Sequence, residues 1–294
     1  MSKLREDYDS FIEQRNNWLS KHLAQKYFLN QESRYVHPFR IFGNVWYVGD
    51  SWVCVHLIDT GDGLLLLDGG NIGATAMLVN AIWEAGFNPA DVKWMVMSHG
   101  HLDHIGGALF FRRMFGTKLY LGEPDARNFR EKPELSIIQD AGVRDENVFE
   151  VDHEIKDGEK IRFGNTEMQF YLVPGHTDGV ISAFFDVTDG KQTLRAGYFG
   201  GFGFNTMQKD FLLDIGDTTF ETRRIYLNSL AKVRDQKVEL FLGNHCVNNR
   251  TLEKAEMIRN GCKENPFINS TEWSEYLDSK RDDMLRLMAD PAQN

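Results

Sequence analysis

Trp94-Met95-Val96-Met97-Ser98-His99-Gly100-His101-Leu102-Asp103-His104-Ile105-Gly106-Gly107 decides how this chain is read. Its first four residues are an unbroken apolar run, the pattern of a strand buried on both faces. Immediately afterwards come three histidines and an aspartate within six residues, closed by a glycine pair. A loop of that density can turn His99 and His101 toward one cation while Asp103 and His104 face a second, with the glycines permitting a tight return. Imidazole and carboxylate are the donors that zinc accepts in open catalytic sites. A lone histidine is ordinarily a hydrogen-bonded core or surface residue, and His22, His37, His56 and His153 are read that way.

Two further histidines stand where such a centre needs them. His176 lies in Pro174-Gly175-His176-Thr177, past a strand ending at Val173, and His245 lies in Gly243-Asn244-His245, past a strand ending at Leu242. Both are strand-to-loop positions preceded at short range by glycine, so each can present an imidazole at one sheet edge. His176 completes three histidines for a first ion, and His245 joins Asp103 and His104 for a second. Three protein donors per zinc leave a coordination position open. Cys246 follows His245 directly, but neighbours on a strand end point apart, and it is not read as a ligand.

Outward from the loop, Asn44–Val48, Val53–Ile58 and Leu64–Leu67 are short apolar runs, and Thr60-Gly61-Asp62-Gly63 is a hairpin signal between the last two. A helix is expected over Ala74–Ala85. Strands follow at Ile161–Phe163, Met168–Val173, Ile181–Val187, Thr193–Ala196 and Val238–Leu242, with helices over Phe220–Val233, Leu252–Asn260 and Thr271–Met288. Strands grouped in each half with helices between and at the ends predict an α+β fold: an αβ/βα sandwich of two mixed sheets with helices on the outer faces. Residues 1–36 are expected to be a helical extension, 37–270 the catalytic domain, and 271–294 a C-terminal helix packed on the domain or on a partner subunit.

The 294 residues are 42% hydrophobic and 26% charged, as in an ordinary globular enzyme. A net charge of −10 opposes binding to a phosphate backbone, so nucleic acid is a poor partner. No apolar run reaches bilayer-spanning length, and Met1 to Asn16 lacks the apolar stretch of a secretory signal. The odd count of 3 cysteines suits a reducing compartment. The expectation is a cytoplasmic protein that acts on a small molecule, with the terminal helices offering a route to a homo-oligomer.

The His-x-His-x-Asp-His spacing, the histidine of Pro174–Thr177 and the late His245 resemble the metal-binding signature of the metallo-β-lactamase superfamily, and the likeness runs from about residue 37 to the C-terminus. It implies two zinc ions on His99, His101, Asp103, His104, His176 and His245, with Asp68 supporting the metal loop from behind. Glu264-Asn265-Pro266-Phe267 and the helix after it are similar to subclass B3 enzymes. Many members carry an aspartate bridging both ions; here the corresponding stretch reads Ala196-Gly197-Tyr198-Phe199-Gly200-Gly201, so the second zinc is expected to be held more weakly. The implied chemistry is attack by metal-bound hydroxide on an amide, lactam, lactone or ester of a small anionic substrate, Asp103 orienting the hydroxide and receiving its proton. The alternative is an iron-dependent oxidoreductase, similar to persulfide dioxygenases. Tyr198 is either a donor to the developing oxyanion or a buried structural residue. Gly200–Met207, with Phe202 and Phe204, is either a pocket wall or a loop covering the sandwich edge.

Overall fold

Leu64 to Leu67 shows how the layers are built. In the computed structural model, which describes residues 32–137 and 148–294, alternate residues of this strand face opposite ways. Leu65 and Leu67 belong to one apolar cluster, Leu64 and Leu66 to another, and all four are buried. A strand with both faces covered has no polar alternation, which is why the sequence reads as an unbroken apolar run.

The strands, in chain order, are β1 (Phe39–Phe42), β2 (Val45–Tyr47), β3 (His56–Asp59), β4 (Leu64–Leu67), β5 (Val92–Val96), β6 (Lys118–Gly122) and β7 (His153–Ile155), which form one seven-stranded sheet in that order. β1 to β4 are antiparallel, and β4 to β7 parallel. A second, five-stranded sheet runs β12-β11-β10-β9-β8, from β8 (Lys160–Phe163), β9 (Thr166–Leu172), β10 (Ile181–Thr188), β11 (Thr193–Phe199) and β12 (Leu240–Gly243). Its strands are antiparallel except for the β11–β12 pair.

The inter-sheet core takes Ile58, Leu65, Leu67 and Val96 from one sheet and Phe170, Phe185, Tyr198 and Leu242 from the other. Outside the first sheet, Leu78 and Ile82 of α1 (Thr75–Glu84), Leu102 and Ile105 of α2 (Leu102–Ile105), Phe111 of α3 (Ala108–Phe115) and Phe129 of α4 (Glu123–Glu131) cover its other face. Outside the second, Tyr226 and Leu230 of α6 (Glu221–Arg234) join Trp273 and Met284 of α8 (Glu272–Ala289). Two shorter helices, α5 (Lys209–Asp214) and α7 (Thr251–Arg259), complete the described set. The sandwich expected from the sequence is the fold observed. The C-terminal helix packs on the domain itself. The expected N-terminal extension lies outside the described residues except for 32–36, as does His22.

Two expectations need correction. Val53–Ile58 is not one strand: β3 begins at His56, because Asp50 accepts from the backbone N–H of Trp52 at 2.8 Å and of Val53 at 2.7 Å and holds the chain in a turn. Val53 pairs instead with His245 as an isolated antiparallel bridge. β1, β6 and β7, and helices α2 to α5, are additional elements. Among the described residues no helix is long and apolar enough to cross a membrane.

Trp273, 1% exposed, donates its indole N–H to Val233 O at 3.0 Å and meets Phe184 and Phe241 with ring centroids 5.2 and 5.4 Å away. Trp273→Ala is expected to cost about 3–5 kcal/mol in denaturant unfolding. On the same helix Leu285 is 48% exposed, and Leu285→Ala should stay within about 0.5 kcal/mol.

Candidate metal centre

Asp68 directly follows β4, and its φ of 71° puts it in the left-handed region that aspartate tolerates better than most residues. That turn aims the carboxylate at the loop leaving β5. Asp68 Oδ1 accepts from Ser98 N at 2.6 Å, while Oδ2 accepts from His104 Nδ1 at 2.8 Å and from the Tyr198 hydroxyl. Gly106 closes the loop where no side chain fits, since a Cβ there would lie 2.2 Å from Asn71 O. Six donors thus meet from three loops: the one after β5, the one after β9 and the one after β12.

Backbone carbonyls and Asp68 fix which nitrogen of each ring faces inward. His99 Nδ1 donates to Gly200 O at 2.7 Å and His176 Nδ1 to Gly203 O at 2.9 Å. With Nδ1 protonated in His99, His104 and His176, each Nε2 is a bare lone pair. His99 Nε2 lies 3.1 Å from His101 Nδ1, which lies 3.1 Å from His176 Nε2. His104 Nε2 lies 3.2 Å from His245 Nε2, and Asp103 Oδ2 lies 3.5 and 3.6 Å from those two atoms. A tetrahedral zinc with bonds of about 2.0–2.1 Å has ligand–ligand edges of about 3.3–3.4 Å. The three edges of the second triangle and the two edges at His101 in the first lie close to that length, and the donor atoms of His99 and His176 lie within 4.8 Å of each other. The triangles adjoin, because donor atoms of His99, Asp103 and His104 also lie within 4.8 Å of one another.

Burial and the neighbouring imidazoles hold His99, His101 and His245 well below the ordinary histidine range, and burial brings His176 down to about 4. These rings are neutral at pH 7, the form that binds a cation. His104 differs: burial would lower it, but the carboxylates of Asp103 and Asp68 outweigh that and raise it. Burial raises Asp103 as well.

Each residue singled out in the sequence has a place here. Tyr198 is wholly buried behind Asp68, its phenol spent on that carboxylate. Phe202 and Trp52 both stand beside His245, at ring distances of 5.2 and 4.8 Å. Phe204 turns away onto Tyr226. Cys246 Sγ faces the Tyr47 hydroxyl at 3.0 Å and Cys54 Sγ at 3.9 Å, not the triangles. His56 bonds Gly243 O at 2.8 Å and His153 bonds Glu159 at 2.8 Å.

Sequence reasoning missed Asp125. It is 3% exposed at the start of α4 and accepts from Gly100 N at 2.7 Å, Thr177 Oγ1 at 2.7 Å and Gly179 N at 2.8 Å. One carboxylate therefore ties the His99–His101 segment to the His176 loop, and burial pushes its pKa up to about 6. The approach is close: a Cβ on Gly179 would lie 2.5 Å from Asp125 N. In the sequence, Gly122-Glu123-Pro124-Asp125 reads only as a helix start, since nothing local shows what the side chain faces.

Known proteins resemble this chain in sequence and in fold. Residues 53–189 match the family described as the metallo-beta-lactamase superfamily. A hydroxyacylglutathione hydrolase of Haemophilus influenzae is 28% identical over 130 residues, 44% of this chain, and a beta-lactamase-like protein 2 homolog of Caenorhabditis elegans is 23% identical over 202 residues, 68% of this chain. The matched region spans 58% of the length of each of those relatives. Among solved structures, the subclass B3 metallo-β-lactamase BJP-1 of Bradyrhizobium japonicum superposes with a TM-score of 0.76 at 26% identity, covering 90% of this chain and 97% of its own. Native FEZ-1 of Legionella gormanii gives 0.77 at 25% identity, covering 87% and 96%.

Asp125→Ala leaves two buried N–H groups and a hydroxyl without their acceptor, at a cost of about 1–3 kcal/mol each before relaxation. It is expected to weaken the first ion about 10- to 100-fold while sparing the second. Zinc titration against a competing chelator reads the difference. Equal weakening at both sites would refute the positioning role.

Proposed function

We propose that this chain, whose residues 53–189 match the metallo-beta-lactamase superfamily, is a zinc-dependent hydrolase that cleaves an amide, lactam, lactone or ester of a small anionic substrate, with one ion in each triangle. The observation that carries the reading is the convergence of ring nitrogens: three Nε2 atoms whose Nδ1 protons are already committed point at His101 Nδ1 or His245 Nε2, 3.1–3.2 Å away. One proton on His101 Nδ1 can serve His99 or His176 and not both, and a shared cation serves all three rings. Zinc in such a setting supplies a Lewis acid for the carbonyl oxygen and a water whose pKa is lowered to about 7.

The protein's own residues then divide the remaining work. Asp103 is the sole anionic member of the six, 19% exposed on its side chain, and its carboxylate oxygen is the group placed to orient the nucleophile and take its proton. A carboxylate whose pKa is raised by burial is the better base for that step. Trp52 and Phe202 enclose the His245 ring and keep water from that side. The excess positive charge of two dications over one carboxylate supports an anionic substrate.

The position expected for a bridging acid supports zinc over iron. Tyr198 occupies it, uncharged and turned onto Asp68, which leaves an imidazole-rich set. Elemental analysis of protein purified without added metal tests this, and iron with dioxygen uptake would favour the oxidoreductase reading instead.

Two outcomes are expected. His101→Ala removes one of three donors of the first triangle and should abolish hydrolysis of test lactams, lactones and thioesters together with one equivalent of zinc. Retained zinc and an unchanged rate would remove the assignment. Second, the ions should leave in two steps as pH falls. The carboxylates of Asp103 and Asp68 raise His104 above the ordinary histidine range, so a proton competes for the second triangle first as pH falls, whereas His176 at about 4, and His99 and His101 held well below the ordinary range by burial, leave the first triangle free of protons at that stage. Zinc retained against a fixed chelator between pH 7.5 and 5 should therefore fall from two equivalents toward one, and single-step loss would count against the asymmetry.

A further inference from the structure

A cavity of about 60 Å³ opens on the His101 and His176 side of the first triangle. Phe129, Leu135, Phe211 and Ile215 form its apolar walls. Its hydroxyls are already committed: Thr177 donates to Asp125, Thr206 to His176 O and Thr222 to Asp217, each at 2.7 Å. Asn128 donates to Asp178 at 3.1 Å. An occupant thus finds apolar surface and no uncommitted hydroxyl. A charged occupant finds only Asp125 beneath and Asp178 at the margin, both acids. At the mouth Ile215 is 45% exposed, an apolar side chain left in water beside a polar metal centre.

We propose that this cavity binds an uncharged apolar acyl chain of the substrate, about four to six carbons long, joined to the carbonyl that the metal centre cleaves. The length follows from volume, since one water-sized group needs about 10–15 Å³ of such space. Continuity with the centre fixes which end of the chain enters, because His101 and His176 belong both to the cavity lining and to the first triangle. The inference rests on the hydrolase reading and narrows its substrate to a short-chain acyl compound, with any anionic group of the substrate outside the cavity.

The test is the binding of straight-chain carboxylates from acetate to decanoate by calorimetry, on zinc-loaded and on metal-stripped protein, alongside kcat/KM for thioesters and lactones of the same chain lengths. Affinity is expected to rise about fourfold per methylene up to about six carbons and then level off. The slope should persist in the metal-stripped protein at weaker absolute affinity, because the cavity is made by the chain. Ile215→Trp should weaken hexanoate about tenfold and flatten the series, whereas Leu213→Trp, 42% exposed in the native chain and outside the lining, should leave the series intact. No chain-length dependence in either form, or an unaltered series in Ile215→Trp, overturns the cavity assignment whether or not substrate is cleaved. Chain-length-dependent binding by a protein that cleaves none of the acyl substrates overturns the hydrolase reading and leaves the cavity standing.

Discussion

The protonation of Nδ1 in three histidines is the constraint on which the centre depends. Gly200 O, Gly203 O and the carboxylate of Asp68 each hold one ring in a single tautomer and a single orientation. A ring so held cannot turn its lone pair away from its neighbours, and rotation would leave a buried N–H without an acceptor at about 1–3 kcal/mol. The two sheets supply those acceptors from opposite sides. Asp68 directly follows β4 of the first sheet, whereas Gly200 directly follows β11 of the second. The centre therefore exists only when the sheets are packed, and it reports their registration.

Much of this was legible in the sequence because the metal loop is local. His99, His101, Asp103 and His104 stand within one turn-forming segment, and their chemistry needs no knowledge of the fold. The layers were legible from unbroken apolar runs such as Leu64–Leu67. Val53–Ile58 misled because its β-branched residues fit a strand equally well, and only the Asp50 side chain, reaching forward to Trp52 N and Val53 N, decides that the segment turns. Asp125 was not legible at all. Its three donors sit 25, 52 and 54 residues away, and an acid in the first turn of a helix already has a local explanation.

The two triangles are supported differently. Asp68 bonds directly to a donor ring of the second triangle, His104, and shares an oxygen with Tyr198, so it acts on both the orientation and the charge of that triangle. Asp125 bonds to none of the donor rings. It acts on the first triangle through backbone, clamping Gly100 and Gly179, and leaves the electronics of His101 and His176 to burial and to Gly203 O. A centre built this way can differ in metal affinity between its halves with no difference in ligand count.

Such a centre works against the stability of the chain that carries it. Six polar donors are drawn together with their lone pairs facing, Asp68 is held at positive φ, and buried neutral histidines must charge as the medium acidifies. The apolar layers on both faces of each sheet offset these costs, and cations bound only by the folded state add to that balance. Unfolding scatters the donors, so their free energy of metal binding counts toward folding. The sheets bring the donor atoms within 3.1–3.6 Å of one another, and on the proposed reading a cation would tie together the loops after β5, β9 and β12. Metal and fold would then stabilise each other through the same six side chains.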